Sequence, residues 1–123
     1  SLTGVLPAVR FACDAYVELV RSRSLLEAVA SSLTETFAPQ LMSARIAAWK
    51  HHYTWVDPAA LAYFETRVPR SNRDGAEAIQ FVVHEATTRE QQDQCVEALI
   101  EKCQVLWALL DAVATGRDEG GHV

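Results

Sequence analysis

A phenol and a guanidinium lie four residues apart near the middle of this 123-residue chain, at Tyr63 and Arg67. Residues at this spacing project from the same side of a helix, so both polar groups can act at one site. An amphipathic pair whose polar ends reach water from the edge of a helix fits the same spacing. The spacing alone therefore leaves a chemical and a structural interpretation open.

Two further charged residues lie in largely apolar stretches. Glu35 falls within residues 33–38, where a carboxylate needs a partner, either in a site or in a structural ion pair with an arginine. Lys102 has Leu99 and Leu106 beside it on its own helical face. A lysine in such surroundings either extends into water or points into a cavity that holds an anion. These residues are compatible with an anion-binding pocket.

Residue spacing gives no support to a metal centre. Di-metal helical bundles use inward Glu-x-x-His pairs, and such a spacing occurs here only from Glu119 to His122, in a glycine-rich tail. The adjacent His51 and His52 point about 100° apart on a helix, so they are poorly placed to hold one ion. The chain also has no glycine-rich phosphate loop and no nucleophile elbow. We therefore predict that no metal is bound.

Composition limits the class of protein. Half of the residues are hydrophobic and 22% are charged, which predicts one soluble, folded domain. The net charge of -5 argues against nucleic-acid binding. The longest apolar run, Val105 to Leu110, is far shorter than the roughly 20 residues that span a membrane. Cys13, Cys95 and Cys103 have apolar neighbours and are interpreted as buried thiols in a reducing cytoplasm.

The closing segment carries the clearest helical pattern. Thr88 and Gln91 have the spacing of a capping box, which predicts a helix start near Thr88, and Gly116 predicts an end near Thr115. An apolar stripe at three- and four-residue steps should face a core. The stripe consists of Val96, Leu99, Ile100, Cys103, Trp107, Leu110 and Ala114.

Earlier segments repeat the helical period, and none is typical of a strand. Predicted helices run from beyond Thr3 to about Val20, from Leu25 or Leu26 to Phe37, from Pro39 to about Lys50, from Pro58 to about Val68, and from about Ser71 to Ala86. A kink at Pro39 is the alternative to a new helix there. Asp57 should cap the helix that Pro58 starts, and Pro69 should end it. We predict an all-α bundle over residues 1–115 and a disordered tail over 116–123.

Several runs, in order and spacing, resemble a known family. They are Ser31–Pro39, Trp49, His52–Val56, Ala62–Phe64 with Arg67, Thr88–Gln92, and Lys102 with Leu106–Trp107 and Leu109–Asp111. Together they are similar to the pyrroloquinoline quinone synthase family, PqqC. The resemblance runs from about Val5 to Val113 and corresponds to the C-terminal half of that family's fold.

The resemblance implies a fold and an activity. The family is a haem-oxygenase-like helical bundle that works as a homodimer. It completes pyrroloquinoline quinone by ring closure and multi-electron oxidation of a polycarboxylate precursor, with dioxygen as co-substrate and no metal or organic cofactor. The resemblance therefore implies a cytoplasmic oxidoreductase with a small polycarboxylate substrate.

The resemblance also assigns roles to residues. Arg45 and Lys102 would hold substrate oxygens by charge-assisted hydrogen bonds, and Tyr16 and Glu35 would complete the pocket wall. Tyr63 and Arg67 match the pair near the dioxygen site, where a cation can stabilise reduced oxygen and a phenol can donate a proton. We therefore expect Arg45, Arg67 and Lys102 to converge on one water-poor cavity.

One position departs from the family at the centre of the chemistry. The catalytic histidine, expected seven residues after Glu35 and three before Arg45, is Met42. A thioether cannot exchange a proton, so the principal general base is missing. The chain is then either a fragment of a longer protein or a divergent relative with changed chemistry. We favour a fragment, because the first predicted helix starts almost at residue 1.

Two functions follow. The leading one is a PqqC-like oxidoreductase of pyrroloquinoline quinone biosynthesis, with altered or lost ring oxidation. The alternative is a non-catalytic helical module that binds a small carboxylate ligand or a protein partner. Without the family's preceding helices, the stripe on Val96, Ile100, Cys103 and Trp107 lacks its cover, which predicts self-association.

Overall fold

The structure, a computed structural model, describes residues 4–120, with side chains through residue 116. This part of the chain forms helices and no strand, so the predicted all-α class is confirmed. The helices are α1 (Pro7–Ser22), α2 (Leu25–Ser31), a 3-10 segment (Ser32–Phe37), α3 (Ala38–His52), α4 (Pro58–Glu85) and α5 (Arg89–Gly120).

Two groups of helices make up the bundle. The long helix α5 packs against α1 and α2, and α3 packs against α4. The 3-10 segment contacts α3, α4 and α5, and α2 also packs on α4. The 3-10 segment and α2 therefore join the α1/α5 side of the bundle to the α3/α4 side.

Side-chain caps fix where the helices start. Asp57 Oδ1 accepts a hydrogen bond from the Ala59 backbone N–H at 2.9 Å, as the Asp57-Pro58 pair predicted. Thr88 and Gln91 form the predicted capping box: Thr88 Oγ1 accepts from the Gln91 N–H, and Gln91 Oε1 accepts from the Thr88 N–H, both at 3.1 Å. The predicted start at Thr88 is thus confirmed to within one residue.

Two predicted helix ends are wrong. Helix α4 continues through Pro69, because Pro69 and Glu65 both lie on the solvent side and water can solvate the carbonyl that the proline leaves free. Helix α5 continues past Thr115 to Gly120. Gly116 lies inside this helix, and Leu6 packs where a side chain at position 116 would stand, so the glycine allows a close contact here instead of ending the helix. Of the tail predicted to be disordered, residues 116–120 are helical, and 121–123 lie outside the described residues.

The buried face of α5 is not the predicted stripe. Cys95, Ala98, Lys102 and Ala112 are buried against α1 and α2, whereas Val96 and Trp107 are 57% and 70% exposed. Apolar side chains surround much of α5, so their period does not select a single face. The exposure does agree with the expectation that this stripe lacks a cover.

The thiols divide by location. Cys95 is buried as predicted, but Cys13 and Cys103 are exposed, so their predicted burial is wrong. Cys103 is exposed because it belongs to the uncovered stripe of α5. Among the described helices, none is long and apolar enough to cross a membrane.

Candidate functional site

A buried lysine lies against a tyrosine ring between α1 and α5. Lys102 is only 4% exposed, and its Nζ lies 3.7 Å from the centroid of the Tyr16 ring. This distance is that of a cation–π contact, which stabilises a desolvated ammonium group by about 2 kcal/mol. Of the two orientations that the sequence left open for Lys102, the structure has the inward one.

Small residues allow this burial. Ala12 on α1 and Ala98 and Ala112 on α5 are buried, so the two helices can approach closely. The aliphatic stem of Lys102 then lies inside the bundle and its ammonium group reaches the ring of Tyr16, which is itself half-buried. The helix packing therefore presents one positive charge and one aromatic face at a single place.

An ion-pair cluster that sequence reasoning missed lies next to this lysine. Arg23, at the end of α1, donates from Nη1 to Glu27 Oε2 at 3.1 Å and from Nη2 to Glu101 Oε1 at 2.5 Å. Its hydrogen bond with Glu27, together with the charge of Glu101, raises the pKa of Arg23. The four-residue step from Arg23 to Glu27 could have indicated the first contact. No local signal could have indicated the second, because Glu101 is 78 residues away.

Glu35 and Arg67 both line a small polar cleft. The cleft has a volume of about 290 Å³ and lies between the 3-10 segment and α4. Ser32, Ser71 and Asp74 line it as well, so carboxylate, hydroxyl and guanidinium groups share one opening. The structure thus brings together two of the predicted site residues that lie 32 positions apart in the sequence.

Tyr63 and Arg67 share one side of α4, as their spacing predicted. The guanidinium carbon of Arg67 lies 4.9 Å from the centroid of the Tyr63 ring. Both residues are exposed, and Tyr63 retains 58% of its accessible surface. This pair can stabilise an anion only weakly while water surrounds it.

Arg45 lies outside both the polar cleft and the Lys102–Tyr16 contact. It is exposed on α3, where Met42 is half-buried one turn earlier. Neither Arg45 nor Lys102 lines the polar cleft that contains Arg67. These residues alone therefore do not form the single cavity expected for Arg45, Arg67 and Lys102. The roles of the individual residues stay predictions.

A large apolar groove lies between α5, the 3-10 segment and the start of α3. It has a volume of about 780 Å³, and its walls include Phe37, Leu41, Leu106, Trp107 and Leu110. Phe37 and Trp107 are 65% and 70% exposed. We call this surface the apolar groove. A bare patch of this kind is uncommon on a monomer.

Metal ligands are not clustered among the side chains described for residues 4–116: no three His, Cys, Asp or Glu side chains there lie close enough to hold an ion. His51 and His52 instead contact each other edge to face, with ring centroids 4.6 Å apart. The prediction that no metal is bound stays a prediction.

The chain is similar in sequence to known proteins from several bacteria. The chain is 54% identical over 123 residues to a protein of Rhizobium meliloti (strain 1021), 47% over 120 residues to one of Gluconobacter oxydans (strain 621H), and 46% over 110 residues to one of Pseudomonas putida (strain W619). Each relative is named pyrroloquinoline-quinone synthase.

Coverage differs between the chain and these relatives. The alignments include 100%, 98% and 89% of this chain but only 48%, 50% and 44% of the three relatives. The chain thus spans about half the length of the curated relatives it matches. The model of the TENA/THI-4/PQQC family matches residues 1–112, a region that contains α1 to α4, most of α5 and every predicted site residue. With its helical fold and this match over nearly its whole length, the chain belongs to the TENA/THI-4/PQQC family.

Proposed function

We propose that this chain is part of an oxidoreductase of pyrroloquinoline quinone biosynthesis that binds a polycarboxylate precursor. The observation that carries the proposal is the buried Lys102 ammonium group on the Tyr16 ring, in a chain 54% identical to a pyrroloquinoline-quinone synthase. A desolvated cation binds a carboxylate more strongly than an exposed one does, because the surrounding dielectric is lower. The cation is thus suited to one acidic group of such a precursor.

Each predicted residue has a role in this proposal. Lys102 and Arg45 bind precursor carboxylates, and Tyr16 and Glu35 form pocket walls. Tyr63 and Arg67 lie where dioxygen accepts the electrons removed from the precursor, with the phenol as proton donor and the guanidinium as counter-charge. The reaction as proposed uses no metal and no organic cofactor. The protein acts in the cytoplasm.

The proposed site needs more protein than these residues supply. Arg45, Tyr63 and Arg67 are exposed, and the chain has about half the length of its relatives. We propose that a second copy of the chain covers the apolar groove, so that the active form is a homodimer. The exposed Phe37, Leu41, Trp107 and Leu110 support this, because their contact with a partner would remove apolar surface from water.

Substitution of Met42 tests whether the chain takes part in catalysis. A histidine at this position would supply the proton-exchanging group that the thioether cannot provide. Met42→His in the complete gene product should therefore increase the yield of quinone from precursor under air, measured by its absorbance. Met42→Gln is the matched control, since it adds polarity without a group that titrates near neutral pH. Equal yields from the two variants would contradict the catalytic proposal.

A non-catalytic binding module is the second candidate, and Met42 in place of the family histidine favours it. The two candidates share ligand binding and differ in turnover. In the binding module, pyrroloquinoline quinone should raise the melting temperature, Arg45→Ala should lower that increase, and no variant at position 42 should form product. No thermal shift with quinone or precursor would exclude both candidates.

A further inference from the structure

Two contacts connect α1 and the residue that follows it to neighbouring residues of α5: Tyr16 with Lys102, and Arg23 with Glu101. Tyr16 lies within α1, and Arg23 directly follows the last helical residue of α1, Ser22. Their partners on α5 are the consecutive residues Lys102 and Glu101. Arg23 therefore pairs with Glu101, the residue that directly precedes the buried lysine.

We propose that Arg23 is a positioning residue for Lys102: its double ion pair holds α5 in the rotation that keeps the lysine on the Tyr16 ring. As a role in ligand binding, this rests on the proposed function, whereas the positioning itself does not. The ion pairs of Arg23 are with Glu27 and Glu101, not with Lys102 itself. Arg23 acts through Glu101, which it contacts at 2.5 Å.

The packing of α5 explains why such a restraint is needed. The buried face of α5 includes the small side chains of Ala98 and Ala112, which interlock less with a neighbour than large ones do. The opposite face carries exposed apolar residues, so rotation of the helix would exchange one apolar face for another. A charge-assisted, forked hydrogen bond from a planar guanidinium is directional and opposes this rotation.

Electrostatics give Arg23 a second effect on the lysine. Glu27 and Glu101 are both engaged by the guanidinium, and the Glu27 side chain is only 12% exposed. Without Arg23, Glu27 on α2 and Glu101 on α5 would lose this counter-charge, and Lys102 directly follows Glu101 on α5. The lysine ammonium would then move from the Tyr16 ring towards these carboxylates. Arg23 therefore removes the competitors for the lysine as well as fixing the helix.

The composition of the chain makes a direct test practical, because it contains two lysines, Lys50 and Lys102. In protein labelled with carbon-13 lysine, the side-chain methylene resonances of Lys102 should be shifted upfield by the Tyr16 ring current. Lys50, whose side chain is 59% exposed and pairs with Glu65, is the internal reference. Arg23→Gln should move the Lys102 resonance most of the way to the reference position. The Lys50 resonance should stay in place.

Two further variants separate positioning from general damage to the fold. Arg89→Gln breaks an exposed ion pair with Asp93 on the same helix α5 and should leave both lysine resonances unchanged. The double variant Arg23→Glu with Glu101→Arg places an arginine between two carboxylates again, since Glu27 remains. It should return the Lys102 resonance towards its original position. An unchanged Lys102 resonance in Arg23→Gln, or in Glu101→Gln if the first variant does not fold, would overturn the proposal.

Ligand affinity tests the functional part separately. If Lys102 binds a carboxylate, Arg23→Gln should weaken binding of pyrroloquinoline quinone about five- to tenfold, and the double variant should recover most of that loss. Equal affinity of Arg23→Gln and the unchanged chain, with a displaced lysine resonance, would contradict the role in binding. Failure of the unchanged chain to bind the quinone would count against the proposed function, and the resonance positions would still decide whether Arg23 positions Lys102.

Discussion

The predicted site residues on the α1/α5 side of the bundle are more buried than those on the α3/α4 side. On the first side, Lys102 is 4% exposed on the ring of Tyr16. On the second, Tyr63 is 58% exposed and the guanidinium of Arg67 stacks on its ring in contact with water. One side buries its cation against an aromatic ring, whereas the other leaves its predicted residues exposed.

The difference has a physical cause in what each helix packs against. Helix α5 lies between α1 and α2, and small residues bring them close enough to bury a lysine. Helices α3 and α4 pack on each other and, through the 3-10 segment and α2, on the rest of the bundle, but most of their residues remain exposed to water. Burial of the second side therefore requires protein from outside the described residues.

The largest expected effect concerns the apolar groove. Trp107→Glu should abolish self-association, weakening the dimer about 100-fold or more, because it replaces a large apolar side chain with a charge at the proposed contact. Sedimentation velocity over a range of concentrations measures the change. Val17→Glu, on an exposed apolar position of α1, is the matched control and should leave the dimer intact. A stable, folded monomer in the unchanged chain would contradict the proposed dimer across the apolar groove.

The proline within α4 gives the next effect. Pro69→Ala should raise the free energy of unfolding by about 1–3 kcal/mol, because alanine restores the missing backbone hydrogen bond to Glu65 and removes the clash with that turn. Urea unfolding measures the change. Pro58→Ala is the control and should change stability much less, since Pro58 lies in the first turn, where its N–H has no helical partner. A loss of stability in Pro69→Ala would contradict this prediction.

The cap of α4 should give a smaller effect. Asp57→Ala removes the hydrogen bond to the Ala59 N–H and should lower the free energy of unfolding by about 1 kcal/mol. Asp93→Ala, which breaks only an exposed ion pair on α5, should change stability by less than about 0.5 kcal/mol. Equal losses in the two variants would indicate that the start of α4 contributes no more to stability than an exposed surface pair.

The smallest effect concerns the thiols. Burial, with a further contribution from the charge of Glu27, raises the pKa of Cys95. The folded state therefore keeps this proton to a higher pH than the unfolded state does, so stability is complete below the unfolded thiol pKa and falls as pH rises above it. Cys95→Ala should flatten that alkaline decrease. In a thiol-reagent assay, Cys13 and Cys103 should react quickly and Cys95 slowly. Three equally fast thiols would contradict the burial.

The features that could be predicted from the sequence are those in which the interacting residues are close together along the chain. Caps at Asp57 and Thr88 are local, so the sequence placed those helix starts closely. Pro69 and Gly116 are local signals as well, but α4 continues through the exposed Pro69, and Gly116 serves a close contact with Leu6 inside α5. Local chemistry therefore sets a preference that packing can reverse.

The site was harder to predict for the same reason. The step from Tyr63 to Arg67 is short, and the structure confirms that they share one side of a helix. Contact of Arg23 with Glu101 depends on how two distant helices pack, and periodicity does not report this. The buried face of α5 was assigned wrongly because apolar residues occur on more than one side of it.

The binding constant of pyrroloquinoline quinone for the unchanged chain, Lys102→Met and Lys50→Met tests the central claim most directly. Methionine keeps much of the length of lysine and removes its charge, and the chain has no other lysine. We expect Lys102→Met to bind about 10- to 100-fold more weakly and Lys50→Met to bind within about twofold of the unchanged chain. Equal affinities for all three proteins, or no measurable binding to the unchanged chain, would contradict a buried anion-binding site on the α1/α5 side.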